Sequence, residues 1–439
     1  MRAGRAELGP RPNAKGSPGD DDPTPHDRRQ LLAIVCSSCV AHQSVWHARR
    51  IPPAGKRLFS ARKNSKTVVE HFLTDNAVLE FTPHDPDKPS LRFLLHHFVI
   101  HELASGRPMR FETRLSNPKP PGEIAVSGKV GPWTDENPEQ TRVEGNYTFD
   151  RANLSSFRGI AGILSSQGQF HGSFKELAVA GSTDTPAFEV NDTHHRTRLH
   201  TNFRALVDAT NGDVTLHDVE ARFWNTRLQA NGTVAGMRDG RGKTAQLEFV
   251  AQQGRIEDLM MLFIHDKRPP FAGVISFAAK TTLPPADIPF FKKVQLEGDF
   301  GIDAAHFTNP VREQQMTELS ERARGEADKL EDGDLPPERV LSDLQGHVVL
   351  RNGTARFSHL SFTVPGATAE VQGTYDLISK RINLRGTLYM AAKLSQATTG
   401  VKSFLLKVIN PFTKKDKPNE PVSFRITGTY EKPKYSVSP

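Results

Sequence analysis

The sequence predicts a mainly β protein: antiparallel hairpin repeats forming an open, curled sheet, a β-trough, with a few short helices. Three observations carry that expectation. Apolar and polar residues alternate, most clearly between Leu344 and Met390. Ala367, Ala369, Val371, Gly373 and Tyr375 form one run, and Ile382, Leu384, Gly386, Leu388 and Met390 form the next. Period two gives a strand one apolar and one polar face. Turn-forming pairs separate the runs, at Asn352-Gly353, Pro365-Gly366 and Ser379-Lys380. Asn-Gly suits a type I′ hairpin, which needs positive φ at both central residues. Finally, only 36% of the 439 residues are hydrophobic. That is little for a thick core, but it suits a thin sheet with one wetted face.

In chain order, residues 1–65 are rich in Arg, Pro, Gly and Asp without periodicity and read as loop or disorder. The apolar run Leu31 to Val40 is far shorter than the ~20 residues a membrane span needs. Cys36 and Cys39, the two cysteines, form a lone C-x-x-C. Without a second pair this is a weak zinc signal, and the rest of the chain can form no disulfide.

Strands are expected from Val68. Alternation runs through Ala77, Leu79 and Phe81, then Leu91, Phe93 and Leu95, then Phe98 and Ile100. The phase change implies a bulge near His96-His97. Asn117 to Gly122 reads as the turn before a strand at Ile124 to Val130. Phe157, Ile160, Ala161 and Leu164 have helical spacing, so a short amphipathic helix is expected at 154–164.

Strands of five to seven residues are expected through 166–236, with turns at Gly181 to Pro186, Asn211-Gly212 and Asn231-Gly232. A second helix is expected at Gly254 to His265, with Ile256, Leu259, Met260 and Phe263 on one face. Strands follow at Val274 to Ala279 and Val294 to Ile302. Residues 311–340 are charged and helix-favouring, with only the narrow stripe Met316, Leu319 and Ala323. They predict a solvated helical insertion on the surface. A closing amphipathic helix is expected at 398–410, before a last strand at Val422 to Tyr430.

The net charge of +7 suggests attraction to anionic surfaces. The charge is spread rather than clustered, so no nucleic-acid partner is expected. His96, His97 and His101 do not suggest metal: on a strand, His97 and His101 lie about 13 Å apart. No phosphate loop, nucleophile elbow or zinc-protease motif occurs. No catalytic residue, cofactor or metal is therefore expected.

Four stretches resemble the AsmA-like proteins of Gram-negative envelopes: 153–190, 199–234, the meander 341–390 with its N-G-x-A-x-F and V-x-G-x-Y-D-L patterns, and KSFLLKVINPFTKK at 402–415 followed by FRITGTYEKPKYSV. The resemblance covers residues 66–439. It implies a periplasmic trough of β-hairpins, held at the inner membrane by an N-terminal helix. Such a trough shields or conducts phospholipid and supports outer-membrane homeostasis. The expected anchor is not found here, and residues 1–65 stand in its place.

Physical logic points the same way. Leaving about 1,000 Å² of apolar face in water would forgo roughly 25 kcal/mol of burial. The face must close on itself, be covered by helices, or hold a lipid. Candidate groove residues are Phe203, Val207, Leu296, Phe300, Val371, Tyr375, Leu384, Leu388, Phe424 and Ile426. Small residues on the same side, such as Gly128, Gly298, Gly373 and Gly386, either let the sheet bend or accommodate bulges. Lys402, Phe404, Leu405, Lys407 and Val408 could meet an inner- or outer-membrane surface, or the helix could pack over the sheet end. The expected partner is phospholipid. Two alternatives stay open: a structural periplasmic scaffold that binds proteins through a closed β-sandwich, and an outer-membrane barrel, which the short strands and few Tyr and Trp disfavour.

Overall fold

The structure is a computed structural model. It describes residues 32–36, 39–42, 69–81, 91–104, 106–133, 136–157, 159–190, 193–236, 242–264, 266–285, 288–325, 341–391 and 421–437. Mostly these are strands of one antiparallel sheet. β1 (Leu32–Cys36) and β2 (Cys39–His42) both pair with β3 (Val69–Phe81). Then come β4 (Leu91–Leu103), β5 (Met109–Pro118), β6 (Pro121–Val130), β7 (Arg142–Asn153), the two-residue β8 (Ile160–Ala161), β9 (Ile163–Ser173) and β10 (Leu177–Val190). The middle holds β11 (Thr197–Asp208), β12 (Asp213–Phe223), β13 (Thr226–Gly236), β14 (Lys243–Arg255), helix α1 (Ile256–Met261), β15 (Phe271–Leu283), the single-turn α2 (Phe290–Lys293) and β16 (Gln295–Phe307). Helix α3 (Pro310–Arg324) precedes β17 (Ser342–Arg351), β18 (Thr354–Val364), β19 (Ala367–Asp376), β20 (Arg381–Met390), β21 (Val422–Thr429) and β22 (Pro433–Val437).

The order is a plain meander. From β3 on, each strand pairs with the next, except that β7 pairs with β9 and β8 lies against β10. At the far edge, β22 pairs with β21. No pairing joins the two edges among the described residues, so the sheet is open, as the alternation predicts. It is one sheet rather than the two a sandwich needs. No helix among the described residues is long and apolar enough to cross a membrane.

Most expected turns are found, and the register shifts between Leu95 and His97, as the phase change implies. Five expectations need correction. First, strands lie within 1–65, where loop was expected. The apolar run that is too short to span a membrane is long enough for β1 and β2. Second, no helix fills 154–164. A 3-10 turn at Leu154–Ser156 gives way to β8 and β9. Gly159 and Gly162 take φ of +104° and +133°, which a right-handed helix cannot continue through. Third, Gly181 to Pro186 and Asn231-Gly232 are strand interior, within β10 and β13. Gly232 has φ +141°, and a Cβ there would lie 2.1 Å from the Gln246 carbonyl oxygen. The glycine serves a close strand approach, not a turn. Fourth, many strands run for 10 to 14 residues rather than five to seven, because these turn-like pairs bend the ladder without ending it. Strand length therefore does not speak against a barrel; the unjoined edges do.

The fifth correction matters most for function. The insertion was expected on the surface, yet α3 is packed. Asn309 caps it by accepting from the Val311 amide, Pro310 starts it, and Gly325 ends it at φ +81°. Leu319 and Ala323 join Ile256, Ile275, Ile302, Leu344, Val364, Ala367 and Met390 in the main core. The narrow stripe is enough because strand side chains supply the rest of the apolar surface. Some polar neighbours are satisfied locally: Ser320 donates to the Pro365 carbonyl at 3.0 Å, and one oxygen of Glu313 accepts from the Phe307 amide at 2.8 Å, while its other oxygen has no partner among the described residues. The remainder of the insertion lies outside the described residues.

Leu319→Ala should lower unfolding free energy by about 2–5 kcal/mol, measured by urea titration. Val311→Ala, at a site 67% exposed, should change it by less than about 0.5 kcal/mol. Equal, small effects at both positions would return α3 to the surface.

Candidate functional site

Residues directly opposite across a sheet share a face, so the register shows what that face is made of. One row runs through Phe72, Ile100, Phe111, Gly128, Gly145, Phe170, Val179 and Ala205. It continues through Leu216, Gly232, Leu247, Thr281, Leu296, Leu350, Ala355, Tyr375, Ile382, Gly428 and Pro433. No charged residue interrupts it from β3 to β22. At the usual strand spacing, such a row runs roughly 85 Å on a flat sheet.

The opposite face is wet and charged. Arg204 meets Asp218 at 2.7 Å, Lys280 meets Glu248 at 3.3 Å and His347 meets Asp299 at 2.8 Å, each across a strand pair. The histidines weighed as metal ligands stand there too: His97 pairs with Asp75 at 2.8 Å, and His101 lies 3.1 Å from His71 between Nδ1 atoms.

In a meander, connections alternate between two rims. A flat strand of 13 residues would hold those rims about 43 Å apart. Here they touch. Asp266, between β14 and β15, meets Lys380, between β19 and β20, at 3.5 Å. Arg312 at the start of α3 lies 4.4 Å over the Tyr430 ring, between β21 and β22, and donates from Nη2 to the Tyr430 carbonyl at 2.5 Å. The rings of Phe263 and Phe291 are 6.3 Å apart, again from opposite rims. Turns and insertions of opposite rims therefore meet across the sheet, and the apolar row lines the inside of a trough whose mouth is bridged.

The bridges are anchored. Asp258 in α1 accepts from the Asn225 amide and the Thr226 hydroxyl, at 2.9 and 2.8 Å. Burial raises its pKa; those two hydrogen bonds oppose the shift. The hairpin bearing Lys380 is held by Asp376, which accepts from the amides of Ile378 and Ser379, the Ser379 hydroxyl and the Thr354 hydroxyl. The Ser379 bonds first, then the others, hold the Asp376 carboxyl below the usual carboxylate value.

Beside α3 the trough encloses a cavity of about 310 Å³. Of the expected groove residues, Val371, Leu384, Leu388, Phe424 and Ile426 line it. The others share the apolar face but lie elsewhere. Phe203 and Val207 oppose Val219 and Val214, further toward the N-terminus. Leu296 opposes Leu350, Phe300 packs against the main core, and Tyr375 opposes Ile382.

Sequence reasoning missed Phe271, Phe307, Arg312, Met316 and Tyr435, which are also among its walls. Met316 was visible as part of the α3 stripe; Arg312 belonged to a helix expected in solvent. Burial raises the phenol pKa values of Tyr375, Tyr430 and Tyr435, and Arg312 partly offsets this for the last two. Lys402, Phe404, Leu405, Lys407 and Val408, with the closing helix 398–410, lie outside the described residues. Compared with known proteins, the chain matches no family model, no curated protein and no solved structure.

Asp376→Ala should loosen the Lys380 hairpin in a pH-dependent way. A carboxyl whose folded pKa is depressed stabilises the fold above its unfolded value, about 3.9, and loses that contribution as pH falls through the folded value. The gap in urea midpoint between wild type and Asp376→Ala should be full at pH 6 and narrower at pH 3. A gap indifferent to pH would mean that the carboxylate charge does not matter there.

Proposed function

We propose that the protein is a non-enzymatic lipid-shielding trough of the AsmA-like kind. In this proposal it holds phospholipid tails along its apolar face at the cell envelope, on the periplasmic side and associated with the inner membrane, and supports outer-membrane biogenesis. The single observation that carries the reading is the uncharged row that crosses the whole meander and lines a cavity at its C-terminal end. A face of that extent left in water would cost burial energy far beyond ordinary domain stability. Helices α1 and α3 cover only part of it. A lipid tail is the chemistry that matches the remainder, because it supplies apolar surface without asking for hydrogen bonds. The closed-sandwich scaffold loses its architectural basis, since the described strands make one open sheet.

The full chain, purified from cells, should carry phospholipid detectable by mass spectrometry. Leu384→Asp puts a charge into the cavity lining and should remove most of it. Arg385→Asp, one residue along on the wet face, should leave lipid content unchanged. A folded protein by circular dichroism that carries no lipid, or one that loses it equally in both variants, would refute the trough function.

A further inference from the structure

We propose that the cavity beside α3 selects an anionic amphiphile: it holds one aliphatic chain, and Arg312 binds the carboxylate or phosphate of its head. This rests on the lipid-holding function and adds the head-group chemistry. The cavity lining is apolar almost throughout, with Met316, Leu384, Leu388, Phe424 and Ile426 among its walls; among the described residues, the one charged residue in it is Arg312. Its volume, about 310 Å³, sits at the small end of the range for ligand pockets. That leaves room for one chain rather than a whole two-chain lipid.

Arg312 is placed rather than loose. Its guanidinium is fixed by the Tyr430 ring, the Tyr430 carbonyl and a hydrogen bond with the Tyr435 phenol. The acids where the rims meet turn elsewhere: Asp266 and Glu431 lie 3.5 and 4.0 Å from Lys380. No carboxylate pairs with Arg312 among the described residues. A guanidinium carries five donors in a planar fork; the Tyr430 carbonyl uses one and a hydrogen bond with the Tyr435 phenol another. The remaining donors suit a bidentate oxyanion, and attraction strengthens where apolar walls exclude water. A neutral head would leave those donors unmatched. The cavity walls bind any chain; Arg312 decides which head may accompany it.

The test uses the delipidated full chain and three probes with the same oleoyl chain: oleate, 1-oleoyl lysophosphatidate and monoolein. Binding is measured by titration calorimetry at low and high salt. Wild type should bind at least one of the two anions about ten-fold more tightly than monoolein, and salt should weaken only the anions. Which anion wins separates a free fatty acid from a phospholipid head as the natural source. Arg312→Gln should level the probes while monoolein affinity holds, and Arg312→Lys should keep part of the preference.

Equal binding of all three probes by wild type would overturn the head-group assignment and leave the lipid function standing. Failure of all three, monoolein included, would sink the lipid function itself. Loss of monoolein binding in folded Arg312→Gln would make Arg312 structural and overturn the assignment. Should Arg312→Gln not fold, the wild-type contrast between anions and monoolein across salt decides alone.

Discussion

Strand alternation puts every second side chain on one face, and here that face is apolar from β3 to β22. Water cannot be left against it. At about 25 cal/mol per Å², burying even a few hundred square ångströms outweighs most single interactions in the molecule. The rest of the structure answers that demand. Opposite rims meet, α1 drops Ile256 and Leu259 onto the inner face, and α3 does the same with Leu319 and Ala323. A single-layer sheet has no second layer to supply a core, so short helical insertions take that part. The smaller cluster of Val190, Phe223 and Leu262, with Phe290 packed against it, shows the same device nearer the middle of the chain.

Polar groups divide between two tasks. On the wet face, cross-strand pairs such as Arg204 with Asp218 are exposed and each is worth little. They keep the outer surface hydrated and the register consistent. At the rims, polar groups hold the turns in place. Asp258 and Asp376 each tie a turn through two or more donors, and these are the turns and helices that let one rim reach the other. Loss of a wet-face pair is a surface event; loss of a rim tie acts on the shape of the trough.

Much of the sheet was legible because its signal is local. Alternation around Val371 and Leu384, and Asn352-Gly353 between runs, need only their neighbours to be read. Five of the groove residues named from that pattern meet in one cavity. What was not legible depends on contacts far apart in the chain. The stripe Met316, Leu319 and Ala323 looks too narrow to bury a helix until strands before and after it in the chain, β16, β18 and β19, close over it. Asn231-Gly232 has the composition of a turn, and only the neighbouring Gln246 carbonyl shows why glycine is needed in mid-strand. Arg312 resembles any surface arginine until Tyr430, distant in sequence, comes beneath it.

An apolar trough by itself binds without choosing. Hydrophobic contact is non-directional and grows with area, so a wall of Leu, Ile and Phe gives affinity for any chain of suitable width. Discrimination has to come from the few groups that demand a matching partner. Along the inner row these are Thr281 and Tyr375, both neutral; in the cavity, the group with the strictest demand is the guanidinium of Arg312. It sits where the two rims meet, so one of the contacts that bridge the mouth is also the one able to read what enters. Shape and selectivity thereby share one side chain: displacing Arg312 from Tyr430 removes one of the bridges and takes its charge out of the cavity, while the Asp266–Lys380 and Phe263–Phe291 contacts still join the rims.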